Sequence, residues 1–263
     1  MLVIGERISI VAKSMREAMM KRDPKPIQER AKLQVECGAD MLDVSIGPAD
    51  EGGEELMEWV VKVVQDVTSV PLCLDTTNPT AMEVGLKAHD NTWGRPMINS
   101  TDATEERMNA MLPLAARYDA DIIALTLAGS GIPKTAEEKC EIASEIISKA
   151  FEYDLSLERI YLDPLILTVS GMQDSAEESI RAIRLFQEIN DPPMKTSVGL
   201  SNISNGCPKG VREVINRNFL SLLIYEGLTA AIVDPTDKEL MDTMKTTEML
   251  LGKRLYAHSY LDM

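Results

Sequence analysis

The architecture this sequence predicts is an α/β fold, a (β/α)8 TIM barrel forming a single domain over residues 1–263. Three observations carry that expectation. Short aliphatic or β-branched runs alternate with longer segments of helical period along the whole chain. Eight such pairs in 263 residues give about 33 residues per unit, the length of a strand, a helix and two short connections. The first run is followed by GERISIVAKS rather than a GxGxxG phosphate turn, and no Pro/Ser/Gly-rich linker divides the chain, which argues against an open doubly wound sheet.

The elements follow in order. Leu2–Gly5 is the first strand, and the next helix is opened by Pro26 and followed by Gly38, residue types that favour a helix start and stop. Met41–Ile46 is the second strand. In the helix over Glu54–Val67, Leu56, Trp59, Val60, Val63, Val64 and Val67 share one stripe, with Glu55, Glu58, Lys62 and Asp66 facing outward. Leu72–Asp75 is the third strand, and Asn78-Pro79 caps and starts the helix after it. Met97–Asn99, Ile122–Leu127 and Ile160–Asp163 are strands four to six. Asp174 and Ser175 cap a helix running to Ile189, Ser197–Asn202 and Ala231–Asp234 are the last two strands, and Asp237 starts the final helix.

Composition narrows the function. With 27 basic and 42 acidic side chains the formal charge is −15, so a nucleic acid would be met against a repulsive field. No run approaches the roughly 18 apolar residues a membrane helix needs, and the N-terminus has no basic leader region, so the expected location is the cytoplasm. Cys37, Cys73, Cys140 and Cys207 are widely spaced without a CxxC pair, which suggests neither a disulfide framework nor a zinc site. The two histidines, His89 and His258, lie away from the strand ends and are expected in surface or packing roles; no bound metal is expected. The sixteen methionines fall mostly at helical spacing and read as core or contact surface.

In a barrel of this kind the active site lies at the carboxyl ends of the strands. Those ends are occupied here by Asp43, Asp75, Asn99, Asp163, Asn202 and Asp234, each preceded by an apolar run such as LCLD or IYLD. Asp234, followed by Pro235 and Thr236, is expected to serve as a turn or cap. The others form a set of acceptors without Lys, Arg or His. That set suits a ligand offering several N–H donors, such as an aminopyrimidine or pterin-like heterocycle, because one carboxylate accepts two parallel N–H bonds; it does not suit a phosphate.

The segments Ile4–Ile8, Leu42–Pro48, Leu72–Asn78, Met97–Thr101, Tyr161–Leu167 and Gly199–Ser204 (IGERI, LDVSIGP, LCLDTTN, MINST, YLDPLIL, GLSNIS) resemble, in order, the methyltetrahydrofolate:corrinoid-protein methyltransferases of the pterin-binding barrel superfamily. The resemblance implies a (β/α)8 homodimer that binds methyltetrahydrofolate in the barrel mouth. It further implies that the N5-methyl group moves to or from the cobalt of a corrinoid (cobalamin) carried by a separate protein. By match to the family pattern Asp75, Asn99 and Asp163 hold the pterin ring, with Asp43 beside them. Gly199 and Ser201 lie along the ring and Asn202 hydrogen-bonds near N5. Lys209 and Arg212 are candidates for the folate's glutamate tail from charge and position. Two departures stand out: Ser9 and Ser45 occupy places where the family pattern has Asn.

An amide at Asn202 does not titrate, so in such a reaction it stabilises charge developing at N5 while water supplies the proton. The chain has no DxHxxG-like corrinoid motif of its own: His89 is followed by Asp90, Asn91, Thr92, Trp93 and Gly94. The corrinoid partner is left open between a corrinoid iron–sulfur protein and the small corrinoid protein of a demethylation pathway, and so is the direction of transfer. Two alternatives remain, a dihydropteroate synthase-like pterin transferase and a non-catalytic folate-binding subunit.

Overall fold

A computed structural model describes residues 1–261. Eight parallel strands, β1 (Leu2–Ser9), β2 (Met41–Ser45), β3 (Leu72–Asp75), β4 (Met97–Thr101), β5 (Asp121–Leu125), β6 (Ile160–Asp163), β7 (Lys195–Thr196) and β8 (Ala230–Val233), lie in the order β7-β6-β5-β4-β3-β2-β1-β8. Between them run α1 (Lys13–Lys21), α2 (Pro24–Glu36), α3 (Gly53–Gln65), α4 (Pro79–Ala88), α5 (Glu105–Arg117), α6 (Ala136–Glu152), the single-turn α7 (Val169–Met172), α8 (Asp174–Glu188), α9 (Val211–Tyr225) and α10 (Lys238–Leu250). This is the (β/α)8 barrel expected from the alternation.

The barrel is closed by side chains where the ladder runs out. Thr229 Oγ1 accepts from Thr196 N at 2.7 Å and donates to Thr196 O, while Thr196 Oγ1 accepts from Thr229 N. One turn of chain further on, Ile232 N donates to Val198 O at 2.8 Å. The two hydroxyls thus satisfy backbone groups that would otherwise be left at an open edge.

Strand alternation sorts the residues into two cores. Ile4, Met41, Cys73, Met97, Ile123, Tyr161 and Ala230 point inward and fill the barrel, while Leu42, Val44, Leu72, Leu74, Ile98, Ile122 and Leu162 face the helices. On α3 the expected stripe is buried or half-buried, and Met57 and Val61 widen it because the helix packs along α4 as well as on the sheet.

Several boundaries differ from the sequence expectation for identifiable reasons. α1 was not anticipated. α2 begins at Pro24, one residue after Asp23, whose side chain accepts from Lys25 N; Pro26 lies inside its first turn. Asp174 and Ser175 do not cap α8: Asp174 is its first residue and the Ser175 hydroxyl donates to Met172 O. β1 continues past Gly5 to Ser9, with a register shift between Gly5 and Ile8. The largest change is at β7, where only Lys195–Thr196 pairs with β6. The expected strand end folds into a 3-10 turn over Leu200–Ser204, because Asn202 N bonds back to Gly199 O and Ser204 Oγ to Ser201 O.

Candidate functional site

At the mouth end of the barrel the alternation continues, but the inward residues turn polar. Two steps beyond Met41 on β2 is Asp43, and two beyond that Ser45. Asp75 follows Cys73 on β3, Asn99 follows Met97 on β4, and Asp163 follows Tyr161 on β6. The ladders place Asp75 level with both Ser45 and Asn99, and Asp163 level with Leu125. Register therefore brings the residues expected from sequence to one end of the barrel.

Their local chemistry is set by burial. Asp43 is 5% exposed and accepts from Asn99 Nδ2 at 3.0 Å. Burial, reinforced by the neighbouring Asp75 charge, pushes its carboxyl up to about 8. Burial also raises Asp75, opposed by a hydrogen bond from Ser45 and by the Arg107 charge. Ser45 thus sits in the site, whereas Ser9 turns back to accept from Val11 N. Asp163, also 5% exposed, is pushed up by burial to about 7, against the Leu165 N–H that donates to its Oδ1 at 2.8 Å and against the Lys139 charge. That amide is aimed by an unusual backbone: Leu165 has φ 57°, a left-handed conformation that a branched side chain seldom adopts. Beneath the acids, burial lifts the Cys73 thiol well above its ordinary range, which keeps it neutral.

The shell behind the acids is a scaffold of capping and clamping groups. Arg107, in the first turn of α5, donates to Ser100 O, Thr76 O and Thr77 O, tying the ends of β3 and β4 together. Asp102 accepts from Thr104 N and Oγ1 just before α5. Thr126 donates through both N and Oγ1 to Asp163 O.

A second group stands at the rim. The 3-10 turn carries Ser201 and Asn202, and Ser201 Oγ donates to Glu6 Oε2 at 3.0 Å. Asn202 is exposed rather than at a strand end; its Oδ1 accepts from Asn205 Nδ2, and its own Nδ2 lies 3.1 Å from the place a Cβ on Gly199 would occupy. Gly199 has no positive φ, so it is this close approach that favours glycine. Lys209 and Arg212 line a cavity of about 650 Å³ with Glu6, Arg7, Cys207 and Asp234. Arg212 also reaches Ser204 Oγ and Asn205 Oδ1, supporting the turn itself. Asp234 accepts from Thr236 N and Oγ1 and approaches Arg7 at 3.5 Å, the turn role expected of it.

Glu6 was missed. Burial raises its carboxyl, the Ser201 hydrogen bond opposes this, and Asp234 raises it further. The signal was present in Leu2, Ile4 and Glu6, which alternate onto one face; ending the strand at Gly5 hid it. His89 sits at the opposite end of the barrel, accepting from Leu72 N at 3.1 Å through Nε2, and His258 is exposed, as packing and surface residues. Among the described residues no group of three His, Cys, Asp or Glu side chains is placed to hold a metal ion, and no helix is long and apolar enough to cross a membrane.

Chemically, the mouth presents buried acceptors whose proton affinity is raised by desolvation, next to a rim turn carrying an amide. Such acids take N–H donors of a planar heterocycle with large gain, since pairing relieves their burial.

Comparisons with known proteins agree with this chemistry. Residues 6–234 match the family model described as pterin binding enzyme. Over 263 residues the chain is 32% identical to the methylcorrinoid:tetrahydrofolate methyltransferase of Eubacterium limosum, covering 99% of this chain and 94% of that protein. It is 32% identical over 242 residues to the methionine synthase of Mycobacterium tuberculosis, covering 88% of this chain and 20% of that protein. A dihydropteroate synthase from Clostridium difficile, solved in the presence of pteroic acid, has the same fold, with a TM-score of 0.71 at 20% identity over 95% of this chain and 96% of that one.

Proposed function

Because the chain belongs to the pterin-binding enzyme family, we propose that it is a methyltransferase moving the N5-methyl group between methyltetrahydrofolate and a corrinoid on a separate protein. The observation that carries this reading is the buried acceptor set Asp43, Asp75, Asn99 and Asp163 at the barrel mouth, beside a rim turn that presents Asn202. The partner's corrinoid supplies the methyl acceptor or donor. This chain's residues bind and orient the folate.

In this reading Asp75, Asn99 and Asp163 accept and donate the ring's hydrogen bonds, Asp43 fixes the Asn99 amide, and Gly199 and Ser201 flank the ring. The Asn202 side chain stabilises charge at N5 through a hydrogen bond, an effect whose removal costs on the order of 2–4 kcal/mol in comparable sites. Lys209 and Arg212 meet the carboxylates of the folate tail at the rim cavity. A homodimer, a single domain over residues 1–263 and a cytoplasmic location belong to the same reading.

The name of the Eubacterium limosum relative supports a corrinoid and tetrahydrofolate as the reacting pair, in either direction. The experiment is single-turnover methyl transfer together with calorimetric folate binding for Asn202→Ala. Transfer slowed by about a hundredfold or more, with binding weakened less than tenfold, is the expected pattern. Equal losses in both would remove Asn202 from the transition state, and unchanged transfer would leave a different group responsible.

A further inference from the structure

A helix that faces water usually carries charge on its outer side, and α9 does not. Its exposed positions are Val211, Val214, Asn218, Leu222 and Tyr225, and the four apolar ones are between 48% and 69% exposed. The charged residues of the helix are engaged off this face: Arg212 donates to Ser204 Oγ, Glu213 accepts from Gly210 N and Arg217 pairs with Glu239 on α10. The apolar surface continues beyond the helix, because Lys253 Nζ donates to Ile224 O and holds the segment after α10 beside the end of α9, where Leu255 and Tyr256 are exposed. A contiguous apolar face of this kind marks a contact surface.

The order of residues along the stripe says what covers it. The spacings of 3, 4, 4 and 3 residues are symmetric about Asn218. At 3.6 residues per turn the five positions fall within about 80° of arc and about 21 Å of helix axis. A second α9 laid antiparallel across a two-fold axis at Asn218 therefore meets the first in register: Asn218 faces its own copy, Val214 faces the partner's Leu222 and Val211 faces the partner's Tyr225. Each contact sets a small side chain against a large one. Room for the larger partner exists at Val214, which lines a cavity of about 320 Å³ with Arg217, Asn218, Ser221 and Thr243.

Asn218 adds a polar signature. Its Nδ2 donates to Val214 O at 2.8 Å, which leaves one N–H and the side-chain oxygen for another molecule. A copy of the same amide across the axis supplies the matching acceptor and donor, and a polar group inside an apolar seam penalises every other register. Each chain carries a formal charge of −15, so two copies approach most easily through a face without charge.

We propose that the α9 face is where two copies of this chain associate, antiparallel about a two-fold axis through Asn218. The inference rests on the homodimer of the proposed reading and adds its surface and register.

The test is sedimentation of the full-length chain over a range of concentrations, for the wild type and for variants singly and mixed. The wild type is expected to dimerise, and Asn218→Asp or Asn218→Lys to weaken the dimer by about a hundredfold or more, because each sets like charges face to face. An equimolar mixture of the two variants is expected to recover the dimer as a mixed pair. Leu222→Glu is expected to be rescued by Val214→Lys and not by Leu222→Lys, since residue 222 faces 214 across the axis. These positions are exposed, and circular dichroism verifies that each variant folds. A dimer that persists in the single variants overturns the face and leaves the homodimer standing. Loss of the dimer without recovery in the mixtures overturns the two-fold register. A wild type that is monomeric at every concentration removes both the face and the homodimer reading, with no variant needed.

Discussion

Replacing Asp163 by asparagine is expected to stabilise the free protein at high pH. Asp163 is 5% exposed, and its carboxyl is pushed by burial from the ordinary 3.8 to about 7. A folded value above the unfolded one means the folded chain holds the proton more tightly, so stability falls as pH rises between about 4 and 7. Three decades of proton affinity correspond to about 4 kcal/mol above pH 7, an upper bound because water reaches the mouth. Asparagine keeps an Oδ1 for the Leu165 N–H and carries no charge at any pH, although Lys139 loses its counter-charge in the variant. The stability difference in favour of Asp163→Asn is therefore expected to grow by about 1–2 kcal/mol between pH 5 and pH 8. Urea denaturation at the two pH values measures it, provided the slope with denaturant is the same for both proteins. A difference that is independent of pH, or that shrinks as pH rises, would refute the claim that the carboxylate is held against its burial cost.

Other substitutions probe the rim and the barrel closure. Gly199→Ala places a Cβ 3.1 Å from Asn202 Nδ2, and because that amide is exposed it yields; methyl transfer is expected to fall at least tenfold, with a denaturation midpoint close to wild type. A lowered midpoint with unchanged transfer would show that Gly199 serves folding alone. Thr229→Val removes the two bonds that the Thr229 hydroxyl makes between β7 and β8 and leaves Thr196 N without its partner, so a loss of about 1–3 kcal/mol is expected in urea denaturation. A loss of no more than a few tenths of a kcal/mol would mean that the remaining bonds, Thr229 N to Thr196 Oγ1 and Ile232 N to Val198 O, close the barrel without it.

The sequence carried the barrel because its strands are short apolar runs set between well-punctuated helices, and Asp43, Asp75, Asn99 and Asp163 were legible because each closes such a run. What it obscured lies where local hydrogen bonding overrides pattern. The run SVGLSN has strand composition, yet Ser201, Asn202 and Ser204 draw it into a turn, so Asn202 lies exposed at the rim rather than at a strand end. Glu6 stayed hidden because a charged residue after Gly5 reads as the end of a strand, although its alternation with Leu2 and Ile4 continues inward. Lys139 has no sequence signature: in AEEKCEIASEI it looks like one more charge on a solvated face, and only the approach of α8 buries it. Resemblance to a family suggested pterin contacts among the strand ends and said nothing of this buried lysine.

The central claim is methyl transfer between folate and corrinoid, and its most direct test is the visible spectrum of anaerobic cob(I)alamin mixed with methyltetrahydrofolate and the purified protein. The reverse mixture, methylcobalamin with tetrahydrofolate, is followed alongside, and each is repeated with a candidate corrinoid protein in place of free cobalamin. The account predicts that the spectrum of one cobalamin form is replaced by the other in at least one mixture, at a rate that depends on protein concentration and collapses in Asn202→Ala. Tight folate binding with no spectral change in any mixture would contradict it and leave a folate-binding subunit without methyltransferase activity.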